Sequence, residues 1–272
     1  MLPDELTRRD VLRAGTAAPA FFGPFDSSDE SESNHLEYDG SVPQFPDHIV
    51  DPRDDLTELE NYQPRLVTQN QQAREDMTGM YGWSADSENH DVTAHYYWVR
   101  SNTQRSIFSY FGIDAGPEEH HLDHEPVIVF EAPDGSVEKV VHSGGHHMAA
   151  EIDGEWGHLI EDRVADRRTH VVLEQMRPHN HFVEAPDGED GGYVQGYAEF
   201  GSWLDKRDPW FSYGRYAKTS DVAVVDPFAF YPADGRQHWW RADTNDAWFA
   251  RNIYVPLTTA ADERGNLRYQ DS

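Results

Sequence analysis

The chain contains no cysteine among its 272 residues. Disulfide bonds, thiolate-bound zinc, iron–sulfur clusters and cysteine nucleophiles are therefore excluded, and any metal would need oxygen and nitrogen ligands. Lysine is almost as scarce and occurs only at Lys139, Lys206 and Lys218. The HExxH, GxSxG and glycine-rich phosphate-loop motifs are missing too, so zinc proteases, serine hydrolases and nucleotide-binding enzymes gain no support from the sequence.

Basic residues of either kind are few, with 22 Lys and Arg against 50 Asp and Glu, which gives a formal net charge of −28. The 38% of hydrophobic residues is enough to fill a normal core. Self-repulsion should destabilise the fold at low salt, because the Debye length is about 10 Å at 0.1 M but only about 3 Å at 1 M. This balance is typical of haloarchaeal proteins. It argues against nucleic acid and anionic membranes as partners, because both require a basic surface.

The N-terminus lacks an apolar run long enough to span a bilayer, but it carries an export pattern. The segment Thr7–Arg13 matches a twin-arginine signal, and the weakly apolar stretch that follows contains Ala18-Pro19-Ala20 as a cleavage site. We therefore predict a signal segment over residues 1–25, an acidic serine-rich linker over 26–34 and one domain over 35–272. The predicted location is extracellular or at the cell surface, with no membrane span.

The pattern of the predicted domain is mainly β, with short runs rich in Val, Ile, Tyr, Phe and Trp between Gly, Pro, Asp and Asn. It predicts an all-β fold with minor α content, namely an antiparallel β-sandwich with long loops. A long twisted sheet with helices on one face is the alternative. A short helix is expected at 56–62. The predicted strands are 92–100, 106–111, 126–131, 137–142, 148–152, 155–159, 170–175, 193–200, 222–231 and 253–256.

Histidines are concentrated in one part of the chain, with twelve of the fifteen between His90 and His181. The densest group, 120–125, runs directly into the apolar stretch Pro126–Phe130. In a strand, Asp123 and Glu125 would share one face while His124 points to the other. Such a carboxylate pair can bind a hard cation, and His120 or His121 could complete the site. The alternative is that a highly acidic chain places some carboxylates beside histidines by chance.

Several motifs in residues 96–181 resemble the necrosis- and ethylene-inducing-peptide-like proteins and the wider vacuolar-sorting-related superfamily. That family has an aromatic strand, a heptapeptide GHRHDWE before a strand, a Ser-x-His-Gly turn and a later His-Pro-Val-Val strand that ends near another histidine. The matching segments here are Tyr96-Tyr97-Trp98, Glu119–Glu125, Ser143–His146, His170–Leu173 and Asn180-His181.

The resemblance implies a metal-binding β-sandwich with His120, Asp123 and Glu125 as ligands. Asp114 would be the upstream aspartate, although its spacing is about two residues short. Three positions of the heptapeptide depart from the family pattern: Glu119 replaces glycine, Leu122 the second histidine and His124 the tryptophan. Because a fold does not determine a function, the resemblance supports metal binding more than a cytolytic activity.

These observations predict an exported, halophilic β-sandwich that binds a divalent ion, Ca, Mg, Mn or Zn. In this hypothesis His146, His170 and His181 line the same cleft and are the candidate catalytic residues for metal-assisted hydrolysis. The competing hypothesis is a non-enzymatic cell-surface module that binds a small molecule, a glycan or a polar lipid headgroup. A third hypothesis is a purely structural ion that stabilises the packing of the loops. The aromatic pair Trp239-Trp240 and the segment 203–210 are candidates for a flat aromatic surface that binds sugar rings. One of two neighbouring strand residues, however, usually faces the core.

Overall fold

A computed structural model describes residues 44–104, 120–145, 148–155, 157–161, 167–176, 180–186, 188–207 and 225–231. The predicted signal segment, the predicted linker and the predicted strands 106–111 and 253–256 lie outside these residues, as do Trp239 and Trp240. Of residues 120–122 the backbone alone is described.

The described residues form mainly β-strands and two short helices. In chain order the strands are β1 (Ile49–Arg53), β2 (Arg65–Thr68), β3 (Met77–Ser87), β4 (His90–Gln104), β5 (His120–Glu131), β6 (Val137–Gly145), β7 (Met148–Asp153), β8 (Leu159–Glu161), β9 (Arg168–Gln175), β10 (Phe182–Glu184) and β11 (Glu199–Ser202). The helices are α1 (Leu56–Tyr62) and α2 (Gln71–Asp76). No helix in the described part of the chain is long and apolar enough to cross a membrane.

The strands make two sheets. The large sheet has the order β1-β3-β4-β5-β6-β7, all antiparallel, and β11 adds to β3 in parallel. The small sheet has the order β10-β9-β2, with β8 also paired to β9. Only β2 lies parallel to β9 in it. The protein is thus an all-β sandwich built mainly from antiparallel strands, which confirms the predicted fold class.

The large sheet is covered by apolar residues on both faces. Its inner face, which includes Tyr97, Val127 and Val129, packs against Val171 and Leu173 of the small sheet. Its outer face packs against Trp203 and the segment 225–230. Side chains alternate along a strand, so odd-numbered residues of β4 and β5 point inward. This alternation determines which polar residues lie between the sheets.

Some of the predicted elements are confirmed by the structure and others differ from it. The helix 56–62 has the predicted bounds, and the predicted strands in β4, β5, β6, β7 and β9 are confirmed. The prediction 155–159 is wrong, because Gly154 and Gly157 form turns and β8 begins only at Leu159. The prediction 193–200 is mostly wrong, since a 3-10 turn precedes β11. The described part of 222–231 contains the 3-10 helix Pro227–Phe230, capped by the Asp226 side chain.

Candidate functional site

Asp123 and Glu125 lie on the inner face of β5. Asp123 pairs with Ser101 of β4, and Glu125 pairs with Val99. Val99 belongs to the same inward-facing apolar cluster as Tyr97. His124 points the opposite way. Its ring centroid lies 6.5 Å from those of both Trp98 and Trp203 in the outer core. The predicted alternation of these three residues is therefore confirmed.

Asp123 is held by a residue from the loop after β9. Its side chain is buried, and Asn180 Nδ2 donates a hydrogen bond to Asp123 Oδ2 at 2.9 Å. Asn180 has a φ of 58°, in the left-handed region that asparagine tolerates better than most residues. Beside this pair, Gln175 Nε2 donates to Ser101 Oγ at 3.1 Å. The small sheet and its loop thus place amide groups against β4 and β5.

Glu125 has an unusual proton affinity. Burial raises the pKa of its carboxyl well above the ordinary range, and the negative charge of Asp123 raises it further. The Ser143 hydroxyl opposes this shift. The two carboxyl groups therefore differ in character, since a second negative charge beside Asp123 is disfavoured.

His142 is the most unusual polar residue on this face. It pairs with Val127 of β5 and Ala150 of β7, and it has no exposed surface. Neither ring nitrogen makes a hydrogen bond of full distance and angle to another described residue, although the Ser143 backbone acts on the ring as a weak partner. Burial lowers the pKa of His142 to about 4, with the Ser143 backbone acting in the opposite direction. Its neutral ring therefore presents one donor and one acceptor, and leaving such groups unpaired costs about 1–3 kcal/mol each.

We call Asp123, Glu125, His142 and Asn180 the acidic site. Asp123 and Glu125 share the inner face with His142, because His142 pairs with Val127, two residues beyond Glu125. The histidine cluster of the sequence indicated this region, but the importance of His142 itself was not predicted. Its only signal was its spacing from Val140, which places both residues on the inner face.

The predicted metal centre is corrected by the structure. No group of three or more His, Asp and Glu side chains in the described part of the chain could hold a metal ion. Asp123 and Glu125 form only a pair, and the Asn180 amide on Asp123 is a donor, which cannot ligate a cation. Asp114 and the side chain of His120 lie outside the described residues. The hypothesis of a metal-binding His/Asp/Glu cluster with metal-assisted hydrolysis is therefore wrong for the described part of the chain.

Of the three candidate catalytic histidines, the structure describes His170 and His181. His146 lies outside the described residues. His170 is on the face of β9 opposite to Val171 and Leu173, where its Nδ1 lies 3.0 Å from Gln63 O. His170 therefore does not line the cleft between the sheets, because residues adjacent to inward-facing ones point outward. His181 is buried and directly follows Asn180, so the chain places it next to the acidic site.

A second polar cluster, which the sequence did not reveal, lies further along the inner face. His95 Nδ1 lies 2.9 Å from Ser84 Oγ, and His95 Nε2 lies 2.9 Å from Glu131 Oε2. The Tyr62 ring of α1 stacks on the His95 ring at 4.2 Å. We call these four residues the His95 network. Ser84 is only 1% exposed, so its hydroxyl is not available to a substrate as a nucleophile.

Electrostatics within the His95 network stabilise a charged Glu131. Burial acts to raise the pKa of Glu131, but hydrogen bonding from His95 and Tyr62 and the charge of Arg167 lower it, and the net shift is downward. The Tyr62 pKa is raised, chiefly by burial and then by Glu131, while Arg167 opposes the shift. Electrostatic interactions therefore extend from the His95 network in the sheet interior to Arg167, which is an exposed residue.

Comparison of the chain with protein-family models, curated proteins and solved structures found no match. The resemblance to the necrosis- and ethylene-inducing-peptide-like superfamily therefore stays a prediction that rests on the motifs in residues 96–181.

Proposed function

We propose that the protein binds a neutral, polyhydroxylated ligand, a glycan or a related polyol, at the acidic site, whose buried Asp123, His142 and Asn180 side chains the ligand reaches when the two sheets part locally. The observation that carries this proposal is the buried His142 ring, whose nitrogens make no full hydrogen bond to another described residue. Buried polar groups in native proteins are nearly always satisfied, and the exceptions call for an explanation such as a bound molecule. One ligand hydroxyl can donate to the unprotonated imidazole nitrogen, and a second can accept from the protonated one.

The chemistry of the neighbouring groups supports the same ligand class. With its raised pKa, Glu125 retains its proton to higher pH than an exposed glutamate, and a protonated carboxyl is both a donor and an acceptor. Asp123 contributes acceptor oxygens, one of which Asn180 already occupies. An array with both donors and acceptors suits hydroxyl groups. A net charge of −28 makes an anionic ligand a poor fit beside two carboxyl groups.

Titration calorimetry with a panel of neutral mono- and oligosaccharides in molar KCl tests the proposal. The parent protein should bind at least one of them saturably, and Asp123→Asn and His142→Leu should weaken that binding. Glu88→Gln is the matched control, because Glu88 is exposed in the turn between β3 and β4. No binding of any sugar by the parent, or equal binding by all variants, would contradict the proposal.

Metal-free acid–base catalysis on the bound ligand is a second candidate function. It is favoured by the neighbouring carboxyl groups, since pairs whose environments separate their pKa values commonly divide into a general acid and a general base. Glu125 would donate a proton to the leaving group and Asp123 would activate water. Release of reducing sugar from an oligosaccharide by the parent but not by Glu125→Gln would support this activity, because a sugar leaving group must receive a proton. Sugar binding without hydrolysis would support a binding module and contradict the catalytic function.

We also propose that the protein is exported and adapted to high salt. Export is supported by the Thr7–Arg13 pattern, and salt adaptation by the excess of acidic residues over basic ones. A surface location would bring the acidic site into contact with extracellular glycans.

A further inference from the structure

A cavity of about 710 Å³ lies apart from the acidic site, beside the hairpin that joins β5 and β6. It is lined by the turn 134–137, by residues 154, 155, 157 and 159, and by the adjacent arginines Arg167 and Arg168. Its volume falls within the range of small-molecule pockets, roughly 300–1,000 Å³.

The two arginines stand out because neither forms a direct ion pair with another described residue. In a chain with 50 acidic and 22 basic residues, an arginine has many carboxylates available. Arg53, for example, pairs with both Glu58 and Asp86. No carboxylate oxygen of the described residues lies within 4.0 Å of the guanidinium of Arg167 or Arg168. The charge of Arg167 acts electrostatically on Glu131 and Asp134, but neither carboxylate forms a direct ion pair with it.

The nearby carboxylates are occupied by other partners. Glu131 accepts a hydrogen bond from His95. Asp134 accepts from both the backbone nitrogen and the hydroxyl of Ser136, which lowers its pKa. Glu155, the other acid that lines the cavity, is exposed to solvent.

Both guanidinium groups are positioned by the surrounding fold. Arg168 Nε and Nη2 donate to Leu159 O at 2.9 Å and 2.7 Å, and these are its side-chain hydrogen bonds within the described part of the chain. Arg167 packs on Gly135, where a Cβ atom would overlap its Nη1. Tyr62, whose hydroxyl donates to Gly135 O at 3.1 Å, lies close enough to Arg167 for that charge to affect its pKa. A fixed guanidinium loses little entropy on binding.

We propose that this cavity binds a small oxyanion, a phosphate, sulfate or carboxylate group, between Arg167 and Arg168. Guanidinium groups suit this chemistry because their planar N–H donors match the spacing of two oxygens on one anion. The site is independent of the proposed glycan function, since it lies at a different place on the sandwich and uses none of the acidic-site residues.

Calorimetric titration with inorganic phosphate and, separately, with acetate tests the proposal at fixed ionic strength in KCl. The parent should bind one of them saturably, and the two probes distinguish a tetrahedral from a planar oxyanion. Arg167→Gln and Arg168→Gln should each weaken binding at least about tenfold, because a charge-assisted hydrogen bond is lost. Arg168→Lys, which keeps the charge but not the planar donors, should bind more weakly than the parent.

Arg74→Gln is the matched control, because Arg74 is an exposed arginine on α2 that stacks on Tyr197 at 4.2 Å. It should bind like the parent, and so should Asp123→Asn of the acidic site. Near-UV dichroism establishes that each variant is folded. The anion site would be overturned if the parent bound neither probe, or if the Arg167 and Arg168 variants bound as tightly as the parent. Neither outcome would affect the glycan proposal.

Discussion

At the scale of single residues, Glu125 should reduce stability at neutral pH. Its folded pKa is raised, so the folded state holds the proton that the unfolded chain releases above its ordinary pKa of 4.5. Stability therefore falls as the pH rises above that value. Glu125→Gln mimics the protonated form and should therefore stabilise the protein at pH 7 but not at pH 4.

Urea unfolding in molar KCl at both pH values measures this effect, with Glu88→Gln as the exposed control. A Glu125→Gln variant that is less stable than the parent at pH 7 would show that the carboxylate has a favourable partner in the folded state.

His142 should produce the opposite pH dependence. Burial lowers its pKa from 6.5 to about 4, so the unfolded chain takes up a proton first as the pH falls. Stability contributed by the neutral ring is complete above pH 6.5 and is lost progressively toward pH 4, by roughly 3 kcal/mol in total. His142→Leu should remove this component and raise the stability at pH 7, because ring nitrogens that lack a full hydrogen bond are replaced by apolar atoms.

Thermal unfolding of the parent and His142→Leu across pH 4–7 gives the comparison. A large loss of stability in the variant at pH 7 would mean that the ring is satisfied in the folded protein, and the main support for a ligand at the acidic site would disappear.

At the scale of elements, the β5–β6 hairpin depends on Gly135. Its φ of 82° is in the left-handed region, and its N–H closes the turn on Ala132 O at 2.8 Å. Gly135→Ala should destabilise the protein by about 1–2 kcal/mol and displace Arg167, whereas Gly188→Ala, with a φ of 87° and no neighbouring atom within 4 Å of an added Cβ, should show the backbone effect alone.

Unfolding experiments and phosphate or acetate titrations on the two alanine variants separate these effects. Both variants should lose stability, but only Gly135→Ala should also lose oxyanion affinity. Equal affinity in the two would show that Gly135 does not position Arg167.

The strands of the large sheet could be predicted where their own residues show the apolar or alternating pattern of a β-strand. Residues 96–99 are apolar in succession because both faces are buried, and the face of Asp123 and Glu125 followed from alternation alone. β3 was missed because Gly79 and Gly82 lower its β-propensity. Gly82 is required there, since an added Cβ would crowd Leu59 of α1 and the Tyr97 ring.

The candidate sites were harder to predict because their geometry arises between elements distant in sequence. Asp123 meets Asn180 across 57 positions, and His95 meets Glu131 across 36. No local pattern reports such contacts. The metal hypothesis failed for the same reason: an amide from the loop after β9, rather than a third ligand, lies against Asp123.

At the scale of the whole molecule, the N-terminal pattern predicts export through a receptor that reads two arginines. Replacing Arg8 and Arg9 together by lysine keeps the charge but removes the recognised groups, so the protein should accumulate inside the cell. Fractionation and immunoblotting of cells that express the parent and the double variant provide the measurement. Normal secretion of the double variant would show that the segment is not a twin-arginine signal.

The net charge of −28 predicts that the folded state depends on salt. In about 0.1 M KCl the Debye length of about 10 Å leaves carboxylates repelling one another across the surface, whereas in molar KCl the repulsion reaches only about 3 Å. The buried aromatic residues around Trp83, Tyr96 and Trp98 should then lose their fixed packing at low salt. Near-UV dichroism should weaken on dialysis into low salt and recover when KCl is restored. A spectrum that does not change would mean that the two apolar cores outweigh the repulsion, and the inferred adaptation to high salt would be incorrect.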